Sequence, residues 1–198
     1  MEIILASKSP RRKELLSRIF KNFKIVESAV DEAAITRELQ AQNAAVTAYA
    51  RELAMAKAQA AKNQLDSPAD SIIIACDTTV SLDDRILGKP RNLAEARNYL
   101  LSLAGREHLV HSVAVVLKGE EESLVDSQTW VRFFQMDEAM AAEIERYVNS
   151  PSPYDKAGGY GIQEAGAFLI ESIRGDYYTV VGLPLAKLKR CLDELDII

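Results

Sequence analysis

Three cations, Arg11, Arg12 and Lys13, stand in the first turn of what reads as a helix at "SKSPRRKELL", residues 7–16. The positive pole of a helix favours acids, so this placement is unfavourable unless an anion binds there. Ser9 is well placed as N-cap and Pro10 as first helical residue. Backbone N–H groups, the Ser7 hydroxyl and the guanidinium forks of Arg11 and Arg12 would then converge on such an anion, polyphosphate being the obvious candidate. A solvated basic helix end is the plainer alternative.

Four further places carry residue types suited to chemistry. Asp77 follows the apolar run "SIIIAC", and ligand sites of α/β sheets lie at strand carboxyl ends. An Asp there can hold Mg²⁺ or accept a proton from water, or simply cap a turn. Lys57 continues the series Val46, Ala50, Leu53 on a long helix and so sits on the inward face. It either snorkels out at the helix end or aims its charge into a cleft. Lys89 lies in "GKP", residues 88–90, where glycine and proline set the backbone around either a ligand-binding cation or an ordinary basic turn. In "YDKAGGYGIQ", residues 154–163, Gly158, Gly159 and Gly161 would let the backbone approach a ligand, and Gln163 offers a donor and an acceptor to a base edge. A flexible loop explains the same segment. Asp31 and Glu32 could share a metal with Asp77 or form a solvated turn.

Composition narrows the class. The chain has 198 residues, 48% hydrophobic and 27% charged, which is ordinary for a globular protein. A net charge of −5 argues against a general nucleic-acid surface and leaves room for a local basic pocket. The two cysteines, Cys76 and Cys191, form no metal motif and suit a reduced compartment. His108 and His111 lack the i, i+4 spacing of a helical zinc pair. No apolar stretch is long enough for a bilayer, and "MEIILA" reads as a first strand rather than a signal peptide. A cytoplasmic protein is expected.

The elements that must position these groups follow from pattern. Strands are expected at 2–6, 23–30, 71–82, 108–119, 123–135, 165–175 and 177–183, with hairpin turns at Asp83-Asp84 and Glu120–Glu122. Helices are expected at 10–20, 44–64, 92–105, 137–150 and 184–197. Interspersed helices, strands and hairpins define an α/β domain with a mixed sheet. No Walker A, Gly-x-Gly-x-x-Gly or Ser-His-Asp arrangement is present. The residues by themselves point to metal-dependent chemistry on a phosphorylated small molecule.

The segments "SKSPRRKELL", "CDTTV", "GKP", "YDKAGGYGIQ" and "VVGLPL", in this order, resemble the Maf family of nucleoside triphosphate pyrophosphatases nearly end to end, from residue 4 to about 195. The resemblance implies a single domain over 1–198 with two lobes sharing one active-site cleft. The implied fold is an elongated mixed sheet with flanking helices, similar to inosine triphosphate pyrophosphatases. It also implies a divalent cation, Mg²⁺ or else Mn²⁺ or Co²⁺, and a homodimer. Residue by residue it implies Asp77 as proton acceptor, with Glu32, Lys57 and Lys89 as further catalytic groups. Ser7, Arg11 and Arg12 would hold phosphates, and Glu32 and Asp77 the metal. Arg11, Thr78 and Gln163 would set substrate choice. Arg11 stands where the 7-methyl-GTP branch resembles a Trp, and Thr78 where it has Gln, so the chain resembles the dTTP/UTP branch. The alternatives are a nucleotide-sensing regulator of septum formation or cell division, a 7-methyl-GTP pyrophosphatase and a phosphotransferase. The spacing leaves open whether Asp155 and Lys156 reach the site.

Overall fold

The computed structural model describes all of residues 1–198. In chain order the elements are β1 (Glu2–Leu5), α1 (Pro10–Leu16), β2 (Lys24–Ile25), α2 (Glu32–Ala41), α3 (Val46–Lys62), β3 (Ser71–Leu82), β4 (Arg85–Leu87), α4 (Leu93–Leu103), β5 (Glu107–Lys118), β6 (Glu121–Phe133), α5 (Glu138–Val148), β7 (Ile170–Arg174), α6 (Tyr177–Val181) and α7 (Leu185–Glu194). The strands form one seven-stranded mixed sheet in the order β2-β1-β3-β5-β6-β7, with β4 paired to β3. β1 runs parallel to β2 and β3, whereas β4 and β7 are antiparallel to their neighbours. No helix is long and apolar enough to cross a membrane.

The chain divides into two compact units: Met1–Thr78, Ser112–Ser127 and Gly182–Ile198 in the first, Thr79–His111 and Gln128–Val181 in the second. In the first, Ile73 and Ala75 of β3, Val113, Val115 and Leu117 of β5, and Ile4 of β1 pack against Ala50, Ala54, Ala58 and Ala61 of α3. The alternate strand residues are the ones that face the helix, as the two-residue period of a strand requires. The alanines form one small-residue stripe, so the helix backbone can lie close to the sheet. In the second unit, Val80, Leu87, Leu100, Val131, Phe133, Ile144, Tyr147 and Tyr160 share a separate core.

Local signals placed several elements as expected. Asp83 and Asp84 take φ of 47° and 59°, the primed turn that matches hairpin twist. Asn92 and Asp137 cap α4 and α5 through their side chains. Other expectations are corrected. The first helix ends at Leu16 rather than Phe20, because Ser17 closes it and the N–H groups of Ile19 and Phe20 both turn back to the Leu16 carbonyl. The second strand shrinks to Lys24–Ile25. Asp31 and Glu32 open a helix that the sequence reading missed: Asp31 Oδ1 accepts from Ala34 N at 2.9 Å and makes Glu32 the first helical residue. Residues 165–169 form a 3₁₀ turn before β7. "YYTVV", expected as strand for its β-branched and aromatic residues, is the helix α6. The Asp176 carboxylate accepts from Tyr178 N at 3.2 Å and Thr179 N at 3.0 Å, and this cap overrides strand propensity.

Candidate active site

Asp77, expected at a strand carboxyl end, is the seventh of the twelve residues of β3, because the strand continues to Leu82. Alternation along this middle stretch builds two clusters from consecutive residues. Ile73, Ala75 and Asp77 fall on the side that meets α3; Cys76 and Thr78 fall on the opposite side. On the first side, Lys57 lies one residue before the buried Ala58 of the alanine stripe. Its ammonium hydrogen-bonds Asp77 Oδ1 and pairs with Glu32 Oε1 at 2.8 Å. Lys57 and Asp77 side chains are each 10% exposed, whereas that of Glu32 is 46% exposed. The lysine does not snorkel to bulk water; it is neutralised by two carboxylates distant in sequence. Desolvating a charge is tolerated only with such pairing.

On the second side the Arg12 guanidinium is held at three points. Nε donates to Gly182 O at 2.9 Å, Nη2 to Thr78 Oγ1 at 3.1 Å and Nη1 to Ser7 Oγ at 3.4 Å. Ser7 Oγ also accepts from Ser9 N at 3.2 Å, and Ser9 Oγ caps α1 by accepting from Arg12 N at 3.4 Å. Ser7 is buried, and Arg11 and Arg12 are half-buried at the start of α1. Cys76, one residue before Asp77, has its thiol pushed up to about 11, chiefly by burial; both Arg12 and Lys57 act against that rise. It therefore stays protonated at neutral pH, and Sγ lies 3.3 Å from Gly182 O.

Thus Glu32, Lys57 and Asp77 form one contact set, and Ser7, Arg12 and Thr78 another, all in the first unit. Lys89 and Gln163 belong to the second unit and are exposed. The glycine loop corrects an expectation. A Cβ on Gly158 would lie 2.9 Å from Val80, one on Gly159 3.4 Å from Pro90, and one on Gly161 2.6 Å from Lys156. The space these glycines leave is filled by neighbours in the same unit, so their smallness serves packing of the loop. Gly158 also has φ of 72°, a conformation that glycine adopts without strain. Lys156 is engaged inside this loop, donating to Ser152 O at 2.8 Å and Asp155 Oδ1 at 2.6 Å and pairing with Glu164 Oε2 at 3.2 Å.

Two residues of the site escaped sequence reading. Ser112 on β5 lies 2.8 Å from Thr78 through the two hydroxyl oxygens. Gly182 supplies the carbonyl that receives Arg12. No local pattern marks a serine inside an apolar strand, although "VVGLPL" had marked the neighbourhood of Gly182.

As a donor set for a divalent cation, Glu32 and Asp77 offer two carboxylates fixed on one ammonium. No group of three or more Asp, Glu, His or Cys side chains could cage a metal. Two carboxylates suit a hard cation that also takes phosphate oxygens and waters, as Mg²⁺ does with nucleotides, and do not suit zinc.

The middle of β3 in this α/β protein thus carries two carboxylates paired with a buried lysine beside an arginine held at three points. Residues 2–195 match the family described as Maf-like protein, and the chain belongs to that family. It is 44% identical over 197 residues to the dTTP/UTP pyrophosphatase of Clostridium beijerinckii, covering 98% of this chain and 100% of that one. It is 42% identical over 196 residues to the dTTP/UTP pyrophosphatase of Clostridium botulinum, covering 98% and 99%. For the protein of the same description from Clostridium perfringens the identity is 40% over 199 residues, covering 100% and 98%.

Proposed function

We propose that this protein hydrolyses dTTP and UTP, and modified pyrimidine triphosphates, to the monophosphate and pyrophosphate. The observation that carries the chemistry is the buried contact of Lys57 with Asp77 in the middle of β3 and with Glu32 at the start of α2. The choice of dTTP and UTP rests on the relatives named above and on Arg11, Thr78 and Gln163.

In this reading Arg11, Arg12, Lys57 and Lys89 neutralise the triphosphate, and Ser7 donates its hydroxyl to a phosphate oxygen. Arg12 needs little reorganisation, since its fork is already oriented. Asp77 orients the attacking water and takes its proton; Lys57 fixes the carboxylate that does so. Water attacks the α-phosphorus, the bond to the bridging oxygen breaks, and pyrophosphate departs toward the cations. Glu32 and Asp77 are the residues that would hold a divalent cation, most readily Mg²⁺. When bound, it supplies charge neutralisation at phosphate and a lower pKa for water. Gln163 reads the base edge. The proposal extends, on the family resemblance, to a cytoplasmic homodimer.

The test is pyrophosphate release from dTTP, UTP and 7-methyl-GTP with Mg²⁺, by wild type and Asp77→Asn. Turnover of dTTP and UTP that fails in Asp77→Asn is expected. Near wild-type release by the variant would remove Asp77 from its role, and a preference for 7-methyl-GTP would overturn the substrate class. Nucleotide binding without turnover would point instead to a regulator.

A further inference from the structure

Ser112 has no part in the reaction outlined above, yet it is fully buried and carries a hydroxyl in the middle of an apolar strand. A buried hydroxyl without a partner is costly, so its contacts are informative. One of them is Thr78 Oγ1 at 2.8 Å. Thr78 Oγ1 in turn accepts from Arg12 Nη2 at 3.1 Å and lies 3.4 Å from Gly182 O. The Gly182 carbonyl is the common acceptor: it receives Arg12 Nε at 2.9 Å and faces the Cys76 thiol at 3.3 Å.

The backbone explains how the carbonyl is presented. Gly182 has φ of 120°, a region side-chain-bearing residues rarely adopt. A Cβ there would meet Thr78 Oγ1 at 3.5 Å and Arg12 Nε at 3.9 Å, which are ordinary contacts. The backbone conformation, not lack of room, is what calls for glycine in "VVGLPL".

We propose that Ser112 is a positioning residue for phosphate recognition, fixing the Arg12 fork through the Thr78 hydroxyl against the Gly182 carbonyl. An arginine so held gives up little rotamer freedom when an anion arrives. The Thr78 hydroxyl is engaged by Arg12 and Ser112. A change at Thr78 therefore reaches the ligand by way of the phosphates, even where substrate choice is what is measured. This inference rests on the assignment of Arg12 to phosphate.

The experiment uses inorganic tripolyphosphate, which has phosphates and no base, titrated calorimetrically into the full-length protein with Mg²⁺. Deoxythymidine, which has a base and no phosphate, is the counter-probe, measured as an inhibitor of dTTP hydrolysis. Ser112→Ala should weaken tripolyphosphate binding about 3- to 10-fold, the size expected for one hydrogen bond. Thr78→Val should weaken it at least as much, and the double variant no more than Thr78→Val alone, because both act along one chain of contacts. Thr78→Ser, which restores the hydroxyl, should recover what Thr78→Val loses. Inhibition by deoxythymidine should stay at the wild-type level in Ser112→Ala. Losses that multiply in the double variant, or losses confined to deoxythymidine, would overturn the proposal. If Ser112→Ala does not fold, the Thr78→Val and Thr78→Ser pair still decides whether the hydroxyl acts on phosphate. Arg12→Ala separates the two levels. If it binds tripolyphosphate as wild type does, the phosphate role of Arg12 falls. If it binds weakly while Ser112→Ala and Thr78→Val bind normally, only the positioning role falls.

Discussion

Lys57 and Lys156 are both almost inaccessible, 8% and 6% exposed, and each touches two carboxylates. Their surroundings differ. Lys156 finds Asp155, Glu164 and the Ser152 carbonyl within its own loop, and the Asp155 and Glu164 side chains are 57% and 39% exposed. Lys57 reaches from α3 to the start of α2 and the middle of β3, and its partner Asp77 is 10% exposed. The first arrangement is a latch closed by neighbours in sequence. The second concentrates charge from three elements at one buried point, which the protein tolerates only because the charges match. The comparison teaches that burial of a lysine by itself says little; what matters is whether its partners are buried too and where in the chain they come from.

Asp77→Asn should give the largest effect that sets these regions apart. It should lower kcat for pyrophosphate release by about 10²- to 10⁴-fold, the range for loss of a positioned acid or base. It should also lower stability, because Lys57 loses its buried counter-charge and keeps only the half-exposed Glu32. Lys57→Met comes next. It leaves Asp77 buried without its ammonium, and breaking such a pair costs about 3–5 kcal/mol, so urea unfolding should shift strongly and turnover should drop with it. Lys156→Met is expected to cost only about 1–2 kcal/mol, because its carboxylates keep contact with water. Its kcat should stay much closer to wild type than that of Lys57→Met. If the two lysine variants lose stability and turnover equally, the distinction between latch and site is wrong.

An effect confined to acid pH concerns a group buried without any charge. His108 Nε2 meets the Tyr160 hydroxyl at 2.6 Å, while Nδ1 has no partner. Burial pushes the imidazole down to about 3 from its ordinary 6.5. The unfolded chain therefore takes up a proton below 6.5 that the folded one does not, and stability declines from pH 6.5 toward pH 3. Above that window His108 contributes no slope. The decline is at most about 1.4 kcal/mol per pH unit. In His108→Phe the slope of stability against pH should flatten between pH 6 and pH 4 by about that amount; an unchanged slope would show that other groups carry the acid sensitivity.

The α/β class, the turn at Asp83-Asp84, and the caps Ser9 and Asn92 were legible in the sequence. So was the placement of Asp77 on a buried strand, although it is the seventh of the twelve residues of β3 and not at the strand's end. Each depends on groups within a few residues, or on a hydrophobic period that continues along one segment. Two local caps were missed all the same, Asp31 at α2 and Asp176 at α6, the second against the strand propensity of "YYTVV". Tertiary structure decided the rest. Glu32 met Lys57 only when α2 was laid against α3. The loop glycines turned toward Val80, Pro90 and Lys156. Ser112 acquired a role only when β5 was laid beside β3. A cap or a turn is completed by neighbours in the chain, so sequence determines it. A buried charge or hydroxyl is completed by whatever the fold brings to it, and those partners lie 20, 25 or 34 residues away.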